Sequence, residues 1–264
     1  MFAGREKSNK KSIFGSFFTN WFSVSIGVTV GHVICGDSAI FYSDDSKVVF
    51  GVFDGVSGEP GADRASESAA CAMLSILKPL LVCDANQMKN ALAEASRNIK
   101  EGYTTATVAF IRKDGTFTIG SIGDSPVYGH SDGDEFFRPL LPVARMVGDN
   151  DSILKFLYYR NIVTHVLGIE PVTNKEMQIA ILTGKLNPAD KIILATDGLS
   201  DNLFFGVNEG YVTDSFGCED LTNIIGQEMS GSKILSKIKF FLHSNFPPSA
   251  ISLEKIAVLP RIKT

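Results

Sequence analysis

Two short apolar segments of the chain end in the same pair of residues, Asp-Gly. One pair begins at Asp54 and the other at Asp197. The segments before them, 48–53 and 191–196, are apolar and rich in β-branched residues, which is typical of buried strands. Each aspartate is therefore expected at the rigid end of a strand, where the following glycine lets the backbone turn sharply. Asp124 adds a similar carboxylate after a third β-rich segment.

Carboxylates that converge at strand ends repel one another unless a cation lies between them. Mg²⁺ and Mn²⁺ prefer oxygen ligands of this kind. The two Asp-Gly pairs therefore indicate a divalent metal site at one end of a sheet. Asp-Gly pairs also mark ordinary turns, so this interpretation depends on the residues around them.

The glycine-rich stretch 55–61 lies between a predicted strand and a predicted helix, as a nucleotide-binding loop would. Its spacing is not G-x-G-x-x-G, and no Lys-Ser or Lys-Thr follows, so neither a dinucleotide loop nor a P-loop is predicted. Ser57 is followed directly by Gly58, which does not fit the nucleophile elbow of a serine hydrolase. The aspartates are therefore the main candidates for the functional residues of this chain.

Composition narrows the class of protein further. The net charge is −4, and a nucleic-acid partner would require clustered Lys and Arg. Four scattered cysteines without a C-x-x-C pair indicate neither a thiolate zinc site nor a disulfide framework, and we expect a reducing, cytoplasmic location. No apolar run reaches the roughly 18 residues of a membrane span. We expect no transmembrane segment.

The order of predicted elements favours an α+β fold, because strands and helices are grouped rather than alternating. Helices are predicted over 59–81, 87–100, 219–228 and 232–243. Strands are predicted over 48–53, 105–111, 117–122, 127–129, 136–137, 191–196 and 255–259, with a first strand within 13–30. We expect a tail over 1–20 and one domain over 21–264.

Seven short segments occur in an order that carries more information than any one of them. They are 36–39 (GDSA), 50–58 (FGVFDGVSG), 104–108 (TTATV), 122–125 (IGDS), 166–168 (VLG), 194–201 (LATDGLSD) and 251–253 (ISL). The series resembles the protein phosphatase 2C family of metal-dependent protein phosphatases over roughly residues 30–260.

This resemblance implies a four-layer sandwich, in which two antiparallel sheets pack face to face between helices. It also implies two Mg²⁺ or Mn²⁺ ions at one rim. Asp54 would bridge both ions, Asp197 would hold the first, and the Gly55 carbonyl would contact the second. Asp37 would act through metal-bound water. A metal-activated water is the implied nucleophile, so no catalytic side chain is expected.

The chain departs from the family pattern at several positions. Ser249 stands where a metal-binding aspartate is expected, and Gly36 stands where the family has a glutamate. The family often has an arginine shortly before Gly36-Asp37 that binds the substrate phosphate, but here there is only His32 and no basic match. Pro126 replaces another arginine of the family pattern. The segment 138–160 is short for the family's flap. One ion is therefore expected to bind weakly, and Ser249 and Asp124 are further candidate ligands.

Two hypotheses follow from the resemblance. The first is a metal-dependent serine/threonine phosphatase that acts on phosphorylated proteins. The second is a weakly active or inactive phosphatase-like domain that binds a regulatory protein partner. The Asp54 and Asp197 pairs favour the first, whereas Gly36 and Ser249 favour the second.

Overall fold

The computed structural model describes residues 36–58, 60–168 and 178–226, some helical residues between 233 and 240, and the backbone of strands at 13–18, 22–29 and 254–262. His32, Ser249 and the predicted motif at 251–253 lie outside the described residues. The carboxylates of the predicted metal site lie inside them.

Thirteen strands and five helices are assigned within this part of the chain. The strands are β1 (Ile13–Phe18), β2 (Phe22–Thr29), β3 (Ser38–Ser43), β4 (Lys47–Phe53), β5 (Ala106–Arg112), β6 (Thr116–Ile122), β7 (Val127–His130), β8 (Arg138–Pro139), β9 (Ala180–Lys185), β10 (Lys191–Ala195), β11 (Gly206–Asn208), β12 (Tyr211–Asp214) and β13 (Glu254–Ile262). The helices are α1 (Ala62–Leu77), α2 (Ala85–Asn98), α3 (Ile153–Tyr159), α4 (Asp197–Ser200) and α5 (Cys218–Ile225).

The strands form two large antiparallel sheets and one small one. The first has the order β3-β4-β5-β6-β9, and the second has the order β1-β2-β13-β10-β7-β8. β11 and β12 form a separate hairpin, whose Val212 packs with Phe156 of α3. Both Asp-Gly pairs follow inner strands, β4 in the first sheet and β10 in the second.

The alternation of side chains along β4 explains how the layers stack. Val49 and Phe53 pack against α1 and α2 on one face. Val48, Phe50 and Val52 point the other way and pack against side chains of the second sheet. Successive side chains of a strand point to opposite faces, so a strand that is apolar on both faces must lie between two layers.

Helices cover the outer faces of both sheets. α1 buries a stripe of residues at helical spacing, including Ala65, Ala69 and Met73. α2 begins at a capping box, in which the Asp84 side chain accepts from the Gln87 backbone while the Gln87 side chain accepts from Asp84. α5 packs with β10 on the other side. The result is the predicted α+β sandwich of helix, sheet, sheet and helix layers.

Several local predictions differ from the structure in their bounds. The strand predicted at 136–137 is instead β8 at Arg138–Pro139, where its backbone pairs with β7. α3 and β9 were not predicted. The strand β1 lies within 1–20, and the division of the chain at residue 20 stays a prediction. The helix predicted at 232–243 falls only partly on described residues.

None of the helices in the described part of the chain is long and apolar enough to cross a lipid bilayer.

Candidate metal centre

The hairpin formed by β3 and β4 places Asp37 beside Asp54. Ser38 pairs with Phe53 in the antiparallel register, so the residue before β3 and the residue after β4 emerge at the same end. Ser66 of α1 fixes the backbone at this point, because its hydroxyl donates to the Gly36 carbonyl over 2.6 Å. The two aspartates therefore meet because of strand register, although 16 residues (54 − 37 − 1) separate them in sequence.

The backbone of Asp54 is tied to the residues that precede β5. Its carbonyl accepts from the Thr105 amide over 2.8 Å and from the Thr104 hydroxyl over 2.8 Å. Its amide donates to the Thr105 hydroxyl over 3.2 Å. These bonds fix the main chain at Asp54, and so they hold the position from which its carboxylate projects.

Gly55 lies where no side chain fits. A Cβ atom there would be 2.4 Å from the Ala62 carbonyl oxygen and 2.5 Å from that of Gly36. Both are backbone atoms that cannot easily move aside. Glycine is therefore required at position 55 by the close approach of two other segments.

Asp197 comes from the second sheet. It follows β10 and begins α4, where its carbonyl accepts from the Asp201 amide over 2.7 Å. At the end of β10, the Ala195 amide donates to the Pro126 carbonyl over 3.1 Å. That bond joins the strand to the loop that carries Asp124. The two sheets thus bring their acidic strand ends to one rim.

The electrostatics of Asp54 show that its two acidic neighbours lie close to it. Burial raises the pKa of Asp54 well above the usual range, and the charges of Asp37 and Asp197 raise it further. Converging carboxylates of this kind repel one another, and a bound cation would offset that repulsion.

Two further carboxylates, those of Asp124 and Asp201, lie near Asp197. Burial and the charge of Asp197 raise the pKa of Asp124 to about 7, and burial raises the pKa of Asp201 to about 6. Arg145 opposes both shifts. Its guanidinium lies 3.0 Å from an Asp201 oxygen and 3.8 Å from an Asp124 oxygen.

The donor set at Asp37, Asp54 and Asp197 fits a hard divalent cation, because all of its side-chain atoms are oxygens and their charges repel. Among the described residues, no three His, Cys, Asp or Glu side chains already surround a metal position. The site as it stands thus has the chemistry of a metal centre without the full arrangement of ligands.

Of the residues predicted from sequence, the structure brings Asp37, Asp54, Gly55 and Asp197 together, and Asp124 lies next to Asp197. Ser249 is outside the described residues. Arg145 was not predicted, and a lone basic residue in an irregular segment gives no periodic signal. Its partner Asp201 ends the motif at 194–201.

Residues 31–230 match the family model described as protein phosphatase 2C. No curated protein matches the chain significantly in sequence.

Three solved structures illustrate the similarity in fold. RsbX in complex with magnesium has 18% identity and a TM-score of 0.63, over 94% of this chain and 99% of RsbX. The S. agalactiae serine/threonine phosphatase has 14% identity and a TM-score of 0.67, over 92% and 100% of the two chains. The Mycobacterium tuberculosis serine/threonine phosphatase PstP/Ppp has 13% identity and a TM-score of 0.62, again over 92% and 100%.

The fold is thus that of the phosphatase sandwich. Because the family model covers more than half of the sequence, the chain belongs to the protein phosphatase 2C family.

Proposed function

We propose that this chain hydrolyses phosphoserine and phosphothreonine in proteins with the help of Mg²⁺ or Mn²⁺. The proposal is carried by the charges of Asp37 and Asp197, which come from opposite sheets and lie close enough to Asp54 to raise its pKa. Family membership supports a phosphatase. The serine/threonine specificity of two similar structures supports the choice of substrate.

Asp54 and Asp197 would hold the cation, with the Gly55 carbonyl as a further oxygen donor and Asp37 close by. A divalent cation at such a site acidifies water and stabilises charge on the phosphoryl oxygens. The chain's own contribution is rigidity. Thr104 and Thr105 fix the Asp54 main chain, so that its carboxylate is held in place before any ligand arrives.

The test is turnover of p-nitrophenyl phosphate with millimolar Mn²⁺, with and without chelator, followed by phosphate release from phosphoserine, phosphothreonine and phosphotyrosine peptides. We expect chelator-sensitive turnover and a preference for the first two peptides. Asp54→Asn should reduce turnover at least about a hundredfold, since a carboxylate ligand would contribute several kcal/mol of ion binding. Asp132→Asn, at an exposed turn, should leave it unchanged.

A second candidate is a phosphatase-like domain that binds a protein partner without catalysis. It is favoured by Gly36, which offers no carboxylate, and by the incomplete ligand arrangement among the described residues. This candidate predicts folding and stability that do not respond to Mn²⁺, and no turnover of any phosphopeptide. The same assay therefore separates the two.

A further inference from the structure

Arg145 is a buried cation whose role the metal centre does not explain. Its side chain is 3% exposed, and a guanidinium in such a place requires compensation by opposite charge. The residue lies between β8 and α3, far in sequence from every carboxylate that it meets, for example 56 positions before Asp201. Its burial is therefore a product of the tertiary fold.

The contacts of Arg145 lead directly to the helix that carries Asp197. Its Nη2 donates to the Ser200 hydroxyl over 2.8 Å and to Asp201 Oδ1 over 3.0 Å. Ser200 in turn donates from its hydroxyl to the Asp197 carbonyl over 3.2 Å. One side chain thus holds the last turn of α4 to the flanking segment.

The backbone just before Arg145 is also fixed. The Ala144 amide donates to the Gly123 carbonyl over 2.8 Å, and the Ala144 carbonyl accepts from the Thr164 amide over 2.7 Å. Gly123 directly precedes Asp124. The arginine is therefore anchored to the same loop that supplies one of its acidic neighbours, so its position does not depend on its side-chain contacts alone.

The charges around Arg145 resemble those around a bound ion. Asp124 and Asp201 lie against it, and Asp197 is close enough to affect both of these groups electrostatically. The Nε atom of Arg145 has no hydrogen-bond partner among the described residues, and Asp124 lies 3.8 Å away. Because one N–H group of Arg145 makes no hydrogen bond, attraction between the guanidinium and the carboxylates also contributes to its position.

We propose that the guanidinium of Arg145 is a built-in cation that fills the acidic pocket between Asp124 and Asp201, beside Asp197, so that this pocket takes no divalent ion. By holding Ser200 and Asp201 it also positions Asp197, which makes Arg145 a positioning residue. Only the statement that Asp197 binds metal rests on the proposed function. The filling of the pocket by Arg145 stands without it.

Arg145→Gln tests this proposal, because it removes the charge and leaves the three carboxylates. Isothermal titration with MnCl₂ should find one more Mn²⁺ per molecule than in the wild type. Thermal melts should show a larger chelator-reversible stabilisation. Adding Asp201→Asn to Arg145→Gln should remove the extra ion, and Arg145→Lys should keep the wild-type stoichiometry. Arg138→Gln, which removes an exposed charge, should behave as the wild type does.

The proposal is overturned if Arg145→Gln folds and binds the same number of Mn²⁺ ions as the wild type with the same shift in melting temperature. Asp124→Asn gives a test that leaves Arg145 in place. We expect its Mn²⁺ stoichiometry to equal that of the wild type, and the loss of one ion would show that Asp124 is a ligand despite Arg145. A wild type without turnover, together with an extra ion in Arg145→Gln, would refute the proposed function and retain this inference.

Discussion

At the scale of single residues, this site is defined as much by what is absent as by what is present. Asp37, Asp54 and Asp197 supply three carboxylates, while Gly36 supplies none where the family resemblance leads us to expect one. Lack of space does not explain why residue 36 has no carboxylate side chain. A Cβ atom there would be 3.4 Å from the Gly55 carbonyl oxygen, which is ordinary contact, and the backbone is outside the left-handed region. The position can therefore accept a side chain.

Gly36→Glu should accordingly tighten Mn²⁺ binding. A further carboxylate is a good ligand for a hard divalent ion, and we expect about a tenfold decrease in the Kd, or about 1.4 kcal/mol, measured by isothermal titration. Gly148→Glu is the matched control, since it adds the same charge where no atom lies within 4 Å of the new Cβ. Equal affinity in wild type and Gly36→Glu would mean that residue 36 does not face the ion.

At the scale of elements, the β3–β4 hairpin determines whether Asp37 and Asp54 meet. Its turn is organised by Asp44, whose Oδ1 accepts from the Ser46 amide over 2.8 Å and from the Lys47 amide over 3.0 Å. The Lys47 ammonium, which is almost fully buried, donates to the other Asp44 oxygen over 2.9 Å. A slip of one residue in this register would turn the side chains of β4 to the wrong faces.

The stability conferred by Asp44 should depend on pH. Burial alone would raise its pKa, but hydrogen bonds from Ser46 and Lys47 outweigh burial and hold the pKa below its usual range. The ionised form is thus favoured by folding, and its contribution is present above the unfolded pKa of about 3.9 and lost as pH falls through the lower folded value.

Asp44→Asn should therefore lower the free energy of unfolding by about 1–2 kcal/mol at pH 7, and the difference from the wild type should shrink below about pH 4. Urea unfolding at several pH values measures both effects. Asp45→Asn, one residue away and exposed, should show neither. If the difference in the free energy of unfolding between wild type and Asp44→Asn does not vary with pH, the charge of Asp44 is not the cause of its stabilising effect.

At the scale of the whole molecule, the central strands β4, β5, β6 and β10 could be predicted from the sequence, whereas the sandwich itself was implied by the resemblance to the phosphatase family. The order of short motifs that carries this resemblance also indicated that Asp54 and Asp197 converge. Periodicity alone could not show that convergence, since it is produced by the packing of two sheets.

Other features could not be predicted because they depend on tertiary contacts. α3 is short, and only Phe156 of its residues is buried, so it has little amphipathic pattern. Arg145 meets Asp201 across 56 positions, and nothing local distinguishes it from a surface arginine. The C-terminal ligand position remains a prediction, because Ser249 lies outside the described residues.

The central claim, that Asp54 belongs to a metal centre, is tested most directly by thermal unfolding of wild type and Asp54→Asn with chelator and with millimolar Mn²⁺. In chelator, Asp54→Asn should be as stable as the wild type or more stable, because it relieves repulsion from Asp37 and Asp197. Mn²⁺ should stabilise the wild type alone, by about 2.7 kcal/mol at a hundred times the Kd.

A carboxylate that only satisfies a turn would behave differently, since its loss would cost about 1–3 kcal/mol with or without metal. The account predicts a Mn²⁺-dependent rise in the melting temperature of the wild type that is absent from Asp54→Asn. A wild type that melts at the same temperature in chelator and in Mn²⁺ would contradict it.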